Sequence, residues 1–154
     1  MKKSILLTTA MLFAAVAVCF AADEAHLGTW KLNEAKSTIA AGTGKNATVV
    51  YETVGDNVKV TVDGVDAAGA ATHSEWTGKF DGKDYPVTGD STYNSRSYKH
   101  VDDNNLSMIV KKDGKSLMTG RITVSADGKS RTVVTTGTNA KGDTVTSTAV
   151  YDKQ

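Results

Sequence analysis

Eight short stretches of turn chemistry recur at near-regular intervals along this chain, and they constrain its fold more than any other feature. They are Gly55-Asp56-Asn57, Asp66-Ala67-Ala68-Gly69, Asp81-Gly82-Lys83, Gly89-Asp90, Asp102-Asp103-Asn104-Asn105, Asp113-Gly114-Lys115, Asp127-Gly128-Lys129 and Asn139-Ala140-Lys141-Gly142. Asp-Gly and Asn-Gly-like pairs tolerate the positive φ that tight hairpins require. Between them lie short runs rich in valine, threonine and isoleucine, which read as strands. The turns divide residues 46–152 into nine such runs, and Gly28 to Asn33 supplies a tenth. Connections this short join only neighbouring antiparallel strands. A long meander leaves two raw edges unless it closes, and closure removes both. The chain is therefore predicted to be all-β, an antiparallel up-and-down barrel of about eight to ten strands.

The alternation within the runs tells the inner face from the outer. Val58, Val60 and Val62 alternate with Lys59, Thr61 and Asp63; Trp76 and Phe80 alternate with Glu75, Thr77 and Lys79; Leu106, Met108 and Val110 alternate with Ser107, Ile109 and Lys111. A period of two fits a wall with one buried face. Arg131 to Thr138 carries so much threonine that neither face is plainly apolar, so the interior there is expected to be partly wet or partly empty. Asn33 to Lys45 suits a short helix with Asn33 as its N-cap, or an ordered loop, that would close one mouth. At an offset of 73, Gly55, Val60, Gly64, Asp66, Ala67 and Gly69 are echoed by Gly128, Val133, Gly137, Asn139, Ala140 and Gly142. Duplication or a shared turn rhythm would each produce this.

Residues 1–21 open with Lys2 and Lys3, continue through an apolar run to Phe20 and reach small residues, the pattern of a cleaved secretory signal peptide. Cleavage after Ala21 places Cys19 at the third position back. Acylation of Cys19 is the weaker reading, since Val18 is a poor residue to precede a lipidated cysteine. Cleavage leaves 133 of the 154 residues, without a cysteine and with no segment to span a membrane. It also removes two lysines and no acid, moving the formal charge from +1 to −1, so neither polyanionic nor polycationic partners are implied. Residues 22–27 read as a flexible lead-in, 28–154 as a single domain, and the location as periplasmic or extracellular.

The opening Gly28-Thr29-Trp30 of a secreted meander of this length resembles the calycin superfamily, which comprises lipocalins and the ten-stranded fatty-acid-binding proteins. The resemblance implies a bacterial, lipocalin-like barrel in which Trp30 crosses the closed end beneath a basic residue from a late strand. Arg121 and Arg131 both qualify; Arg131 is favoured because it starts its strand beside a turn. On this reading Gly28, Trp30 and Arg131 are structural.

Arg96 and Tyr98 fall on one face of a strand with His100. If that face is inward, a guanidinium fork and a phenol are the donors a ligand carboxylate needs in a dry cavity. Fatty-acid-binding proteins carry a similar Arg-x-Tyr pair on their last strand, whereas here it lies mid-chain. The plainer reading puts Tyr98 in the core, with Arg96 and His100 solvated or paired with acids. His26, His73 and His100 are the only histidines, and none has the spacing of a zinc site. A haem-binding barrel of the nitrobindin type also opens with Gly-x-Trp, and only His100 could serve it. No Gly-x-Ser-x-Gly is present. Glu75 and Asp84 could be drawn as a carboxylate pair, but acids beside turns are ordinarily solvated. The lysines are mixed with aspartates and make no nucleic-acid stripe.

A barrel filled mainly with valine and threonine leaves volume, which a small apolar or amphipathic ligand, or water, would fill. The expected function is non-catalytic binding of a small, partly apolar molecule against Trp76, Phe80 and Met108, with Arg96 or Tyr98 orienting a polar head and no cofactor or metal. The alternative is a secreted structural or interaction domain with a filled core, acting through its threonine-rich surface or by self-association.

Overall fold

The computed structural model describes residues 24–139 and 141–154. The leader, its cleavage site and Cys19 lie outside the described residues. The strands are β1 (Gly28–Leu32), β2 (Lys45–Val54), β3 (Asn57–Val65), β4 (Ala71–Gly78), β5 (Tyr85–Thr88), β6 (Ser95–Asp102), β7 (Asn105–Lys112), β8 (Lys115–Val124), β9 (Ser130–Thr138) and β10 (Thr144–Lys153). Each pairs antiparallel with its sequence neighbours, and β1 closes the barrel against β10 through Trp30↔Lys153 and Leu32↔Tyr151. This is the predicted closed meander of ten strands. After β1, Glu34–Lys36 form a single 3-10 turn, with the Asn33 side chain accepting from the Lys36 N–H at 3.2 Å.

The inner face repeats the alternation read from sequence: Val58, Val60, Val62, Trp76, Leu106, Met108 and Val110 are all buried. The thinnest seam is β5, which pairs through only two residues on each side. Pro86 has no N–H to give to a ladder, so a longer central strand is not available there. Trp76 spans this seam by donating its indole N–H to the Arg96 carbonyl at 2.8 Å. Gly78 is needed beside it. A Cβ at that position would stand 2.5 Å from the Tyr85 ring and 2.8 Å from the Trp76 ring. Gly78→Ala is therefore expected to cost about 1–3 kcal/mol by overpacking, measured as a lowered urea midpoint.

The two ends of the barrel differ. At one end lie the start of β1, the β2–β3, β4–β5, β6–β7 and β8–β9 connections, and the C-terminus. Trp30 is fully buried there, beneath the Arg131 guanidinium at 5.0 Å and the Lys153 ammonium at 5.1 Å from its ring centre. Gly28 adopts φ +111°, and a Cβ on it would collide with the Lys153 side chain. That combination accounts for a glycine two residues before the tryptophan.

The segment before β1 closes this end, which corrects the expectation for His26. Instead of riding in a flexible lead-in, His26 is 0% exposed, and its carbonyl accepts the Trp30 indole N–H at 2.9 Å. Its ring meets Phe80 edge-on, and neither ring nitrogen has a hydrogen-bond partner. Burial, followed by the nearby Arg131, His100 and Lys153 charges and opposed by Asp102, lowers its pKa from 6.5 to about 4. Between those pH values the unfolded chain takes up a proton that the folded chain does not. Stability conferred by neutral His26 is thus complete above pH 6.5 and is lost as the pH falls towards 4, by up to about 3 kcal/mol. Urea unfolding at pH 7 and pH 4.5 should reveal this slope in the wild type and a shallower one in His26→Phe.

Candidate functional site

At the opposite end the β1–β2, β3–β4, β5–β6, β7–β8 and β9–β10 connections surround the mouth of a cavity of about 970 Å³. Side-chain size creates this space. The inward positions of β9 and β10 above the floor are Val133, Thr135, Gly137, Val145, Ser147 and Ala149, all lining residues and mostly small. The bulk of the interior stands opposite, where Trp76, Phe80, Tyr98 and Tyr85 pack edge-on or stacked at 4.8–6.3 Å. The threonine-rich β9, which showed no plainly apolar face in sequence, is thus one wall of the open space.

The candidate residues do not all reach the cavity. Arg96, Tyr98 and Met108 line it, whereas Trp76 and Phe80 do not. Those two form the packed aromatic layer beside it, Trp76 stacking on Phe80 at 6.3 Å and 18°. Their expected role as direct ligand contacts is corrected accordingly: they support Tyr98 and the Arg96 backbone. His100 also stays outside the lining; it sits towards the closed end, half-buried and 4.0 Å from Asp103. The requirement of the haem reading, a histidine reaching the cavity from this position, is not met. Glu75 and Asp84 are not a pair, since each is held by a lysine at 2.7 Å, Glu75 by Lys59 and Asp84 by Lys111. The hydrogen bond from Lys59 keeps the Glu75 carboxyl below its usual range.

Arg96 is the most informative residue. It is 5% exposed, yet it has no carboxylate partner among the described residues. Its Nη1 donates to the Tyr98 hydroxyl at 3.1 Å and its Nη2 to the Tyr93 hydroxyl at 2.8 Å, while Nε has no partner. Neither the solvated nor the acid-paired arrangement considered from sequence is realised. Both phenols accept from Arg96, and the Tyr93 hydroxyl also stands 3.3 Å from that of Ser74, where either can donate, so the cluster is a set of hydroxyls around one cation. Burial works against the Arg96 charge, but the Tyr98 and Tyr93 oxygens that accept from it more than offset this, and its pKa is raised further above the ordinary arginine value. Burial, followed by Tyr98, raises the pKa of the Tyr51 phenol, and burial does the same for Tyr151, so these neighbours stay protonated.

Arg131 was assigned a structural role from sequence, and it does lie over Trp30. It also lines the cavity, with Tyr51 and Tyr151 at 4.9 and 4.8 Å from the guanidinium carbon. Tyr93 went unassigned because it sits in the β5–β6 connection, where a period of two gives no inward direction. Arg131 was singled out only through the resemblance and its place beside a turn, since Val133 and Val134 fall on opposite faces of its strand.

Comparison with known proteins adds little to this geometry. No family model matches the chain, and no curated protein matches it. Among solved structures, one described as EF1p2_mFAP2b bound to DFHBI aligns with 87% of this chain and 98% of its own, at 11% identity and a TM-score of 0.49. The ten-stranded closed barrel stands on the strand pairing itself.

Proposed function

We propose that this protein binds, without transforming, a small amphipathic molecule whose acidic head is held by Arg96, Tyr98 and Tyr93 and whose apolar part lies against Met108, Val110 and Ile122. One observation carries the reading: a buried guanidinium, lining a cavity, with no acid to neutralise it. Burying an ion costs several kcal/mol unless a partner of opposite charge and good geometry offsets it. A carboxylate bound to the fork would supply that partner. The cavity volume falls in the range that encloses small molecules. Its interior polar groups are guanidiniums, phenols and the hydroxyls of Thr135 and Ser147, groups that can donate to an anion.

The leader pattern at residues 1–21 supports an exported carrier acting in a periplasm or outside the cell. Native mass spectrometry of the protein purified from its own host, paired with extraction of the same sample, tests the proposal. A bound acid of a few hundred daltons is expected, and its loss in Arg96→Met would tie it to the site. A clean apo mass, together with unchanged tryptophan emission across a panel of long-chain acids, would contradict carriage and favour the interaction-domain alternative.

A further inference from the structure

Arg131 presents the same anomaly as Arg96 at the other end of the cavity. It is 2% exposed, lines the cavity and has no carboxylate partner among the described residues; its Nε and Nη1 have no hydrogen-bond acceptor. Aromatic rings surround it, with the centres of Trp30, Tyr51 and Tyr151 all within 5.0 Å of the guanidinium carbon. Cation–π contact offsets part of the charge but supplies no lone-pair acceptor for these N–H donors. Arg96 lies one residue into β6, which descends from the mouth, and Arg131 lies one residue into β9, which rises from the closed end. Tyr51 and Tyr98, with ring centres 6.3 Å apart, stand between them.

We infer that Arg131 is a second anion-binding point on the cavity floor, and that the cargo is acidic at both ends, an amphipathic dianion of the α,ω-dicarboxylate class. This rests on the proposed binding function and extends it. Two buried cations lining one cavity leave two positive charges to be balanced. A molecule with one acidic head balances one of them. A chain with an acid at each end, lying against the apolar wall between, balances both.

Isothermal titration of the wild-type protein at pH 7 with dodecanoate and with dodecanedioate tests this without any substitution. The dicarboxylate is expected to bind about tenfold tighter or more, the contribution of one charged hydrogen-bond set. If the floor held no anion site, a second carboxylate would be buried unpaired, and the dicarboxylate would bind more weakly than the monoacid. Equal or weaker binding of the dicarboxylate, with dodecanoate still bound, overturns the inference and leaves the proposed function standing. Failure of both acids to bind removes the proposed function as well. In Arg131→Gln, checked as folded by circular dichroism, the ratio of the two affinities should collapse towards one or invert; an undiminished preference would place the second anion elsewhere and overturn the assignment to Arg131.

Discussion

Trp30→Ala should lower the unfolding free energy by about 3–5 kcal/mol, the cost of deleting a fully buried indole. Three separate losses converge at this site. The indole fills the closed end at 0% exposure, its N–H ties down the His26 carbonyl, and its faces support Arg131 and Lys153. Without the ring, Arg131 loses one of its three aromatic neighbours, and the segment around His26 loses its anchor to β1. Equilibrium urea unfolding followed by far-UV circular dichroism measures the effect. Trp30→Phe should cost less, because it retains an aromatic face and gives up the N–H. A loss below about 1 kcal/mol for the alanine variant would mean that the closed end is not held by this residue.

Arg96→Met should separate binding from stability. In the absence of ligand the substitution removes a buried cation that has no acid partner, and methionine occupies much of the same length with apolar atoms. Exchanging a buried charge for a well-packed apolar side chain is often neutral or stabilising. The unliganded variant is therefore expected to match or exceed wild-type stability, despite losing donors to Tyr93 and Tyr98. Affinity for an acidic amphiphile should fall about 10- to 100-fold, the contribution of hydrogen bonds to a charged group. A variant that is destabilised by more than about 2 kcal/mol and yet binds with unchanged affinity would assign Arg96 to the core rather than to the site. Thermal unfolding with and without added acid reads both effects on one sample.

Hairpin chemistry in this chain is local, which is why the strand order and closure were readable without coordinates. A tight turn specifies its own geometry, and eight short turns in series, three of them Asp-Gly, leave little choice of topology. The period of two placed Val60, Trp76 and Met108 on inward faces for the same reason, whereas it left the facing of Arg96 open. Depth along the barrel axis was not readable. Whether an inward residue meets a cavity or a packed layer depends on what faces it from strands far away in sequence. Trp76 and Phe80 point inward but pack against one another and Tyr98, while the space opens beside Thr135, Gly137, Ser147 and Ala149. His26 was misplaced because nothing in Glu24 to Leu27 signals burial by periodicity. Its position follows from the length of chain needed to cross the closed end and from the Trp30 indole that awaits its carbonyl.

The most direct test of the account compares one acid with its own neutral ester. Isothermal titration of the ligand-free protein with dodecanoate and with methyl dodecanoate holds the apolar surface nearly constant and changes only the charge of the head. The carboxylate is expected to bind with one-to-one stoichiometry and the ester at least about tenfold more weakly, or not at all. Equal affinity for the two, or tighter binding of the ester, would contradict a site built around a buried, unneutralised arginine.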